Sequence, residues 1–204
     1  MQAKRKVADP ARPTFTETAR RAQIVRAAIE TIAEVGYCRA SFARIARRAG
    51  LSSTGLISYH FAAKDELIGQ VVTETFSAIG QFMAERMRGP STAAGALAAY
   101  IEGNAAFVAV HRTEMKALLE IFMNGGIHYD SGTELVVLSP IEQILSNGQQ
   151  AGEFRDFDTR VMAAVIQRAV DGLPFLLEAH PDLDVGTYAR ELVTTFGLAT
   201  RRSP

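Results

Sequence analysis

The stretch from Ser41 to Leu67, SFARIARRAGLSSTGLISYHFAAKDEL, constrains this chain more than any other part of it. It predicts two short helices folded about a tight turn, with a third helix beginning beyond them. Ile45, Ala46 and Ala49 give the first helix one apolar face, because residues three and four apart stack on the same side. Gly50 supplies the positive φ that lets a helix stop sharply. Leu51 can then point back into a core, and Ser52 or Ser53 offers a hydroxyl to cap the next helix. Ile57 and Phe61, four apart, bury that second helix and leave Thr54, Gly55, Ser58 and Tyr59 facing outward. A short helix with a small, polar outer face, next to Arg44, Arg47, Arg48 and Lys64, suits a DNA major groove. The pattern is a helix-turn-helix.

The residues Ile45-Ala46-Arg47-Arg48-Ala49-Gly50-Leu51, then Tyr59-His60-Phe61 and Lys64-Asp65-Glu66-Leu67, closely resemble the TetR (tetracycline-repressor) family of bacterial regulators. The resemblance runs over residues 17 to 68; beyond them it rests on helical architecture. The Gly50 to Tyr59 interval is one residue longer than the family's usual spacing. The extra residue belongs at Leu51 to Ser53, which leaves the start of the recognition helix open. The resemblance implies a small-molecule pocket in the C-terminal part and a homodimer built on the last two helices.

Charge supports a nucleic-acid-facing half. The net charge is zero, but residues 1–64 hold 12 Lys and Arg against 4 Asp and Glu, and the remainder holds 10 against 18. An asymmetry of +8 and −8 separates a half that tolerates phosphate from one that does not. Cys38 is the only cysteine, so no intrachain disulfide forms and a cytoplasmic setting fits. It follows Gly36-Tyr37, where packing between the first two helices is expected. The basic N-terminus lacks the apolar segment of a signal peptide, and no uncharged stretch reaches the roughly 20 residues of a membrane span.

Along the chain, residues 1–13 read as a flexible basic arm, either a free tail or a strand reaching for phosphate. Residues 14–63 form the DNA-binding domain, with Thr14 and Glu17 at capping-box spacing and Thr16 as a competing cap. Residues 64–204 form the ligand-binding and dimerisation domain. A continuous helix over Lys64 to Met87 crosses the charge boundary and ends at Gly89-Pro90, and Ser91 can cap the next helix. Asn124-Gly125-Gly126 and Ser131-Gly132 mark a loop. Ser139-Pro140-Ile141-Glu142 has the form of a helix start, with a capping serine, proline in the first turn and glutamate three on. Phe154 to Asp158 leads into an apolar helix through Leu177, interrupted by Gly172 and Pro174, and Asp184 to Thr200 is the last helix. The expected fold is all-α, about nine helices.

Two constellations carry function. For DNA, Ser41 and Lys64 stand at helix starts, where free N–H groups and the dipole favour phosphate. Arg44, Tyr59 and His60 add phosphate donors, while Ser53, Thr54, Gly55, Leu56 and Ser58 sit at the recognition helix to meet base edges. Core packing is the equal alternative for Leu56. For a ligand, Tyr100, Asn104, Phe107 and His111 fall at i, i+4, i+7 and i+11 and share one face. Leu118 and Phe122 offer a second wall; Gln167, Asp171 and Phe175 a third. His60, His111, His128 and His180 are scattered, so neither a metal site nor a cofactor is expected. No catalytic motif is present. The reading is a homodimeric, ligand-responsive transcriptional repressor binding double-stranded operator DNA, with no membrane partner. Its alternative is a chromosome-binding protein of the same fold without an inducer.

Overall fold

The computed structural model describes residues 15–126 and 131–202. The basic arm, the Thr14 cap and His128 lie outside the described residues. Helix α1 spans Phe15–Val35 and is followed by a 3-10 turn at Tyr37–Arg39. Then come α2 (Phe42–Arg48), α3 (Gly55–His60), α4 (Lys64–Arg86), α5 (Ala93–Val110) and α6 (Arg112–Met123). The chain continues with α7 (Ser131–Gln150), α8 (Thr159–Asp171), α9 (Leu173–Ala179) and α10 (Val185–Thr200). No strand occurs among the described residues, apart from an isolated bridge between Phe154 and Arg201.

Three apolar clusters organise these helices, the smallest joining Ala105 and Val108 of α5, Leu173 and Leu177 of α9, and Ala189 of α10. The first joins Ile24, Val25 and Ile32 of α1, Ile45 of α2, Ile57 and Phe61 at α3, and Leu67, Ile68, Val71 and Val72 of α4. It also takes in Ala117, Leu118 and Ile121 of α6, so the N-terminal core runs past residue 63. The second gathers Leu97, Tyr100 and Ile101 of α5, Ile141 and Leu145 of α7, Ala163 and Ile166 of α8, and Phe196 of α10. Met83, with Ile79 and Phe82 at its edge, brings α4 into this cluster too. α4 is therefore shared by the two larger cores, as a helix crossing the charge boundary should be.

α5 is the hub of the C-terminal core, packing against α4, α7, α8, α9 and α10. It is also long and apolar enough, by length and composition, to cross a membrane, contrary to the expectation that no segment is. Its apolar surface is used inside the protein: Leu97, Ile101, Ala105, Phe107 and Val108 are buried.

Several local expectations change. Pro140 lies inside α7, and Ser139 does not cap a helix but donates from its hydroxyl to the Leu135 carbonyl at 2.5 Å. Apolar residues on both sides of the proline, buried Leu138 and Ile141, favour continuing the helix despite the lost N–H. Ser131 and Gly132 accordingly open α7 and do not belong to the loop. Thr92, not Ser91, caps α5, accepting the Gly95 N–H at 3.0 Å. Thr16 is within α1. The helix read through Leu177 is two, because Gly172 and Pro174 break it between α8 and α9.

Candidate functional site

Gly50, at φ 65°, ends the first helix of the pair, and Leu51 turns back so that its N–H reaches the Ala46 carbonyl at 2.9 Å. Ser41 caps α2, its hydroxyl accepting the Arg44 N–H at 3.4 Å. Neither Ser52 nor Ser53 caps α3. Thr54 stands at the N-cap without a side-chain bond, and its carbonyl accepts from Ile57 and Ser58. The start of the recognition helix, open in the sequence, is thus Gly55. Ile57 and Phe61 are fully buried, while Ser53, Thr54, Gly55, Leu56, Ser58 and Tyr59 are exposed. Leu56 is 38% exposed, which sets aside its reading as a core residue.

The basic residues divide. Arg44 and Arg47 are exposed beside α3, whereas Arg48 pairs with Glu30 and Glu34 of α1. Tyr59, edge-on to His60, donates from its hydroxyl to Glu17 at 3.4 Å. Lys64 is half-buried: its ammonium donates to the Tyr37 carbonyl at 3.1 Å and lies 4.3 Å over the Tyr37 ring. The Tyr37 N–H in turn reaches Glu120 of α6 at 3.1 Å. Sequence reasoning missed this link, because nothing local marks Glu120 as the partner of a residue 83 positions away. Cys38 is exposed, with Asn124 Oδ1 at 3.8 Å from its sulfur, and does not pack between α1 and α2.

On α5, Tyr100, Asn104, Phe107 and His111 are engaged by neighbouring groups. The Tyr100 hydroxyl donates to Gln167 Oε1 at 2.8 Å, and Gln167 Nε2 donates to Asp171 Oδ1 at 2.7 Å. Arg168 pairs with the other Asp171 oxygen at 3.3 Å. Asn104 donates to the Tyr100 carbonyl. Phe107 stacks on His111 at 4.2 Å, and Phe82 meets Phe107 edge-on at 5.3 Å. Arg86 lays its guanidinium 3.5 Å over Phe82. Burial pushes the Tyr100 phenol well up, with the Asp171 charge adding to it. Burial also raises the Asp171 carboxyl, although 41% of its side-chain surface stays accessible.

Of the other two walls, Gln167 and Asp171 face Tyr100, whereas the remaining members are turned elsewhere. Leu118 and Phe122 pack with the N-terminal core, Phe122 against Phe76, and Phe175 on α9 is exposed. Two cavities open elsewhere. One of about 400 Å³ lies between the end of α1, α6 and α9, lined by Glu34, Arg39, Lys116, Glu120 and Glu178 among others. One of about 200 Å³ lies between α5 and α10, beside Leu97, Phe154 and Val193.

An exposed recognition helix on a basic head, carried on an all-α body, defines a helix-turn-helix DNA-binding transcriptional regulator. The sequence profile of bacterial regulatory proteins of the tetR family matches residues 24–71. The transcriptional regulator BetI of Cronobacter sakazakii is 31% identical over 195 residues, covering 87% of this chain and 88% of that protein. BetI 1 of Chromohalobacter salexigens is 38% identical over 101 residues, and there the match spans only half of each protein (49% and 50%). The chain belongs to the TetR family. Among solved structures it resembles a transcriptional regulator of Saccharomonospora viridis in complex with choline, with TM-score 0.79 and 19% identity. That match covers 91% of this chain and 100% of the other. FadR of Bacillus subtilis, in complex with stearoyl-CoA, gives TM-score 0.73 at 24% identity, covering 85% of this chain and 95% of FadR.

Proposed function

We propose that this protein is a cytoplasmic, homodimeric repressor that leaves its operator when a small organic cation enters the α5 face. Ser41, Arg44, Tyr59, His60 and Lys64 hold phosphates, and Ser53, Thr54, Gly55, Leu56 and Ser58 face base edges. Lys64 spends one of its three ammonium donors on Tyr37, which aims the others from a fixed position. The exposed Leu56 suits the methyl of a thymine.

The observation that carries the ligand reading is the chain from Tyr100 through Gln167 to Asp171. Polar groups taken from water into a core cost free energy unless bonded. Tyr100 and Gln167 satisfy each other and Asp171, so a ligand that replaces those bonds meets converging polar groups already in place. Phe107 and His111 lie farther along the same face, with Phe82 of α4 edge-on against Phe107. A carboxylate and several aromatic rings suit an ammonium group. The choline complex of the structurally similar regulator supports that class.

The test measures affinity for an inverted repeat that the protein itself selects from random duplexes. Choline should weaken binding and its uncharged carbon isostere, 3,3-dimethylbutanol, should not. If stearoyl-CoA releases the DNA and choline does not, the cation reading fails. If no small molecule of either kind changes affinity, the protein behaves as a chromosome-binding member of the fold.

A further inference from the structure

The recognition helix ends at His60 and α4 begins at Lys64, so Phe61, Ala62 and Ala63 set the angle between them. Phe61 and Ala63 are both extended, with φ of −138° and −145°. Ala63 occupies the N-cap of α4 and has no side chain able to cap it. Burial of Phe61 anchors one point of this joint, and one point does not fix an angle.

Lys64 ties the start of α4 to Tyr37, and three further constraints converge on one side chain of α1. Arg21 Nη1 donates to the His60 carbonyl, the last of α3. The guanidinium lies 4.2 Å over the Phe61 ring. Its Nη2 approaches Glu66 Oε1 at 3.7 Å, and the other Glu66 oxygen accepts the Ala62 N–H at 2.7 Å. One planar group thus touches the end of the recognition helix, the first residue of the joint and the first turn of α4. A nearby helix residue, Gln23, donates to the Ala49 carbonyl at the end of α2 at 2.6 Å. Both helices of the DNA-reading pair are held at their C-terminal ends by α1.

We propose that Arg21 is the positioning residue that sets the recognition helix against α4, acting through Glu66 and not through DNA phosphate. Both of its terminal nitrogens and one face are already engaged, and 66% of its side chain is shielded. Lysine cannot stand in, because an ammonium offers no plane to stack and no fork to span two acceptors.

The experiment compares Arg21→Gln, Arg21→Lys and Glu66→Gln in the full-length protein. It uses the self-selected inverted repeat and a random-sequence duplex of equal length, over a range of salt. Thermal unfolding gives the folded fraction by which each affinity is normalised. Both Arg21 variants should lose about tenfold on the selected repeat, the size of one lost base contact. Affinity for random duplex and the salt slope should stay near wild type. Glu66→Gln should lose in the same direction, and joining it to Arg21→Gln should add less than its separate effect. A drop of about one unit in the salt slope, with equal losses on both duplexes, would make Arg21 a phosphate contact. Recovery by Arg21→Lys would say the same. Wild-type affinity for the selected repeat in Arg21→Gln overturns the proposal outright. If Arg21→Gln does not fold, Glu66→Gln decides alone, by whether it lowers discrimination between the two duplexes.

Discussion

Burial raises the Asp171 carboxyl above its ordinary 3.8, and the Gln167 amide and Arg168, which favour the anion, do not cancel the effect. Between 3.8 and the raised value, the folded chain keeps a proton that the unfolded chain has released. Stability from this group therefore falls as pH rises through that window. Asp184 runs the other way. The Thr187 hydroxyl, then the N–H groups of Gly186 and Thr187, hold its carboxyl below the ordinary value. That contribution is present above 3.8 and is lost as pH falls through the folded value. Asp171→Asn keeps an acceptor for Gln167 and removes only the first effect. Its melting temperature, relative to wild type, should gain more at about pH 7 than at about pH 4. Equal differences at both would mean that the carboxyl is not destabilised by its surroundings. The same substitution should abolish release by choline, because the charge that favours an ammonium is gone. At this scale the sequence was partly legible. Helical spacing put Tyr100, Asn104, Phe107 and His111 on one face, and the burial of Tyr100 and Phe107 agrees with it. Spacing did not show that Leu118 would serve the N-terminal core, because an apolar residue fits either cluster equally well.

Among the elements, α7 shows how tertiary packing overrides a local signal. Ser-Pro-x-Glu is a helix start when nothing precedes it, yet here Leu138 and Ile141 continue one buried face across the proline. The far end of α7 is pinned by Gly148. A Cβ there would lie 2.2 Å from Phe154 Cδ2 and 2.9 Å from the Ala93 methyl. Alanine would gain about 1 kcal/mol of helix propensity. It would also drive a buried aromatic ring from its seat, and overpacking of that kind costs about 1–3 kcal/mol. A contact so short puts the cost at the upper end, so Gly148→Ala should lower the denaturation midpoint. An unchanged or higher midpoint would mean that Phe154 has room to move. Helices α2 and α3 were the most legible elements, since Gly50, Ile57 and Phe61 leave few ways to fold the segment between them. The cap of α3 was not, because Ser52, Ser53 and Thr54 are chemically equivalent until the turn is formed.

For the whole molecule, the proposed two-fold assembly and switch rest on surfaces that one protomer displays. On the last helices, where the resemblance implies the dimer, Ala163, Ile166, Val170, Leu173 and Phe196 are buried in the protomer's own core. Val165 stays 51% exposed, and Val161 and Leu198, at 60% and 55%, join it on the outer surfaces of α8 and α10. Arginine at Phe196 would break the fold, whereas Val165→Arg or Leu198→Arg should yield a folded monomer by light scattering. Either variant remaining dimeric would move the interface elsewhere.

Within such a dimer, the two recognition helices must meet major grooves roughly 34–36 Å apart, so a small tilt of each head spoils the fit. Two connections can deliver that tilt. α4 runs unbroken from Lys64 to Arg86 and shares the two larger cores. The second is α6, where Glu120 accepts the Tyr37 N–H and Tyr37 accepts from Lys64 at the start of α4. Helix α6 also contacts α5 and α9, so it touches both the C-terminal body and the head. Packed helices pass displacement on as rigid units, and a ligand shifts binding only by its preference between two arrangements. Glu120→Ala removes the polar link from α6 to Tyr37 at a half-buried contact and leaves α4 and the apolar packing of α6 intact. Ligand-free affinity for the selected repeat should change little. The loss of affinity on adding choline, about 1–3 kcal/mol for typical coupling, should shrink. Titrating choline in the presence of DNA must show the same reduction from the other side, since coupling is reciprocal. If Glu120→Ala is released from DNA as fully as wild type, the tilt does not travel through the Glu120–Tyr37–Lys64 link, and substitutions around Ile79 and Met83 of α4 become the next place to interrupt it.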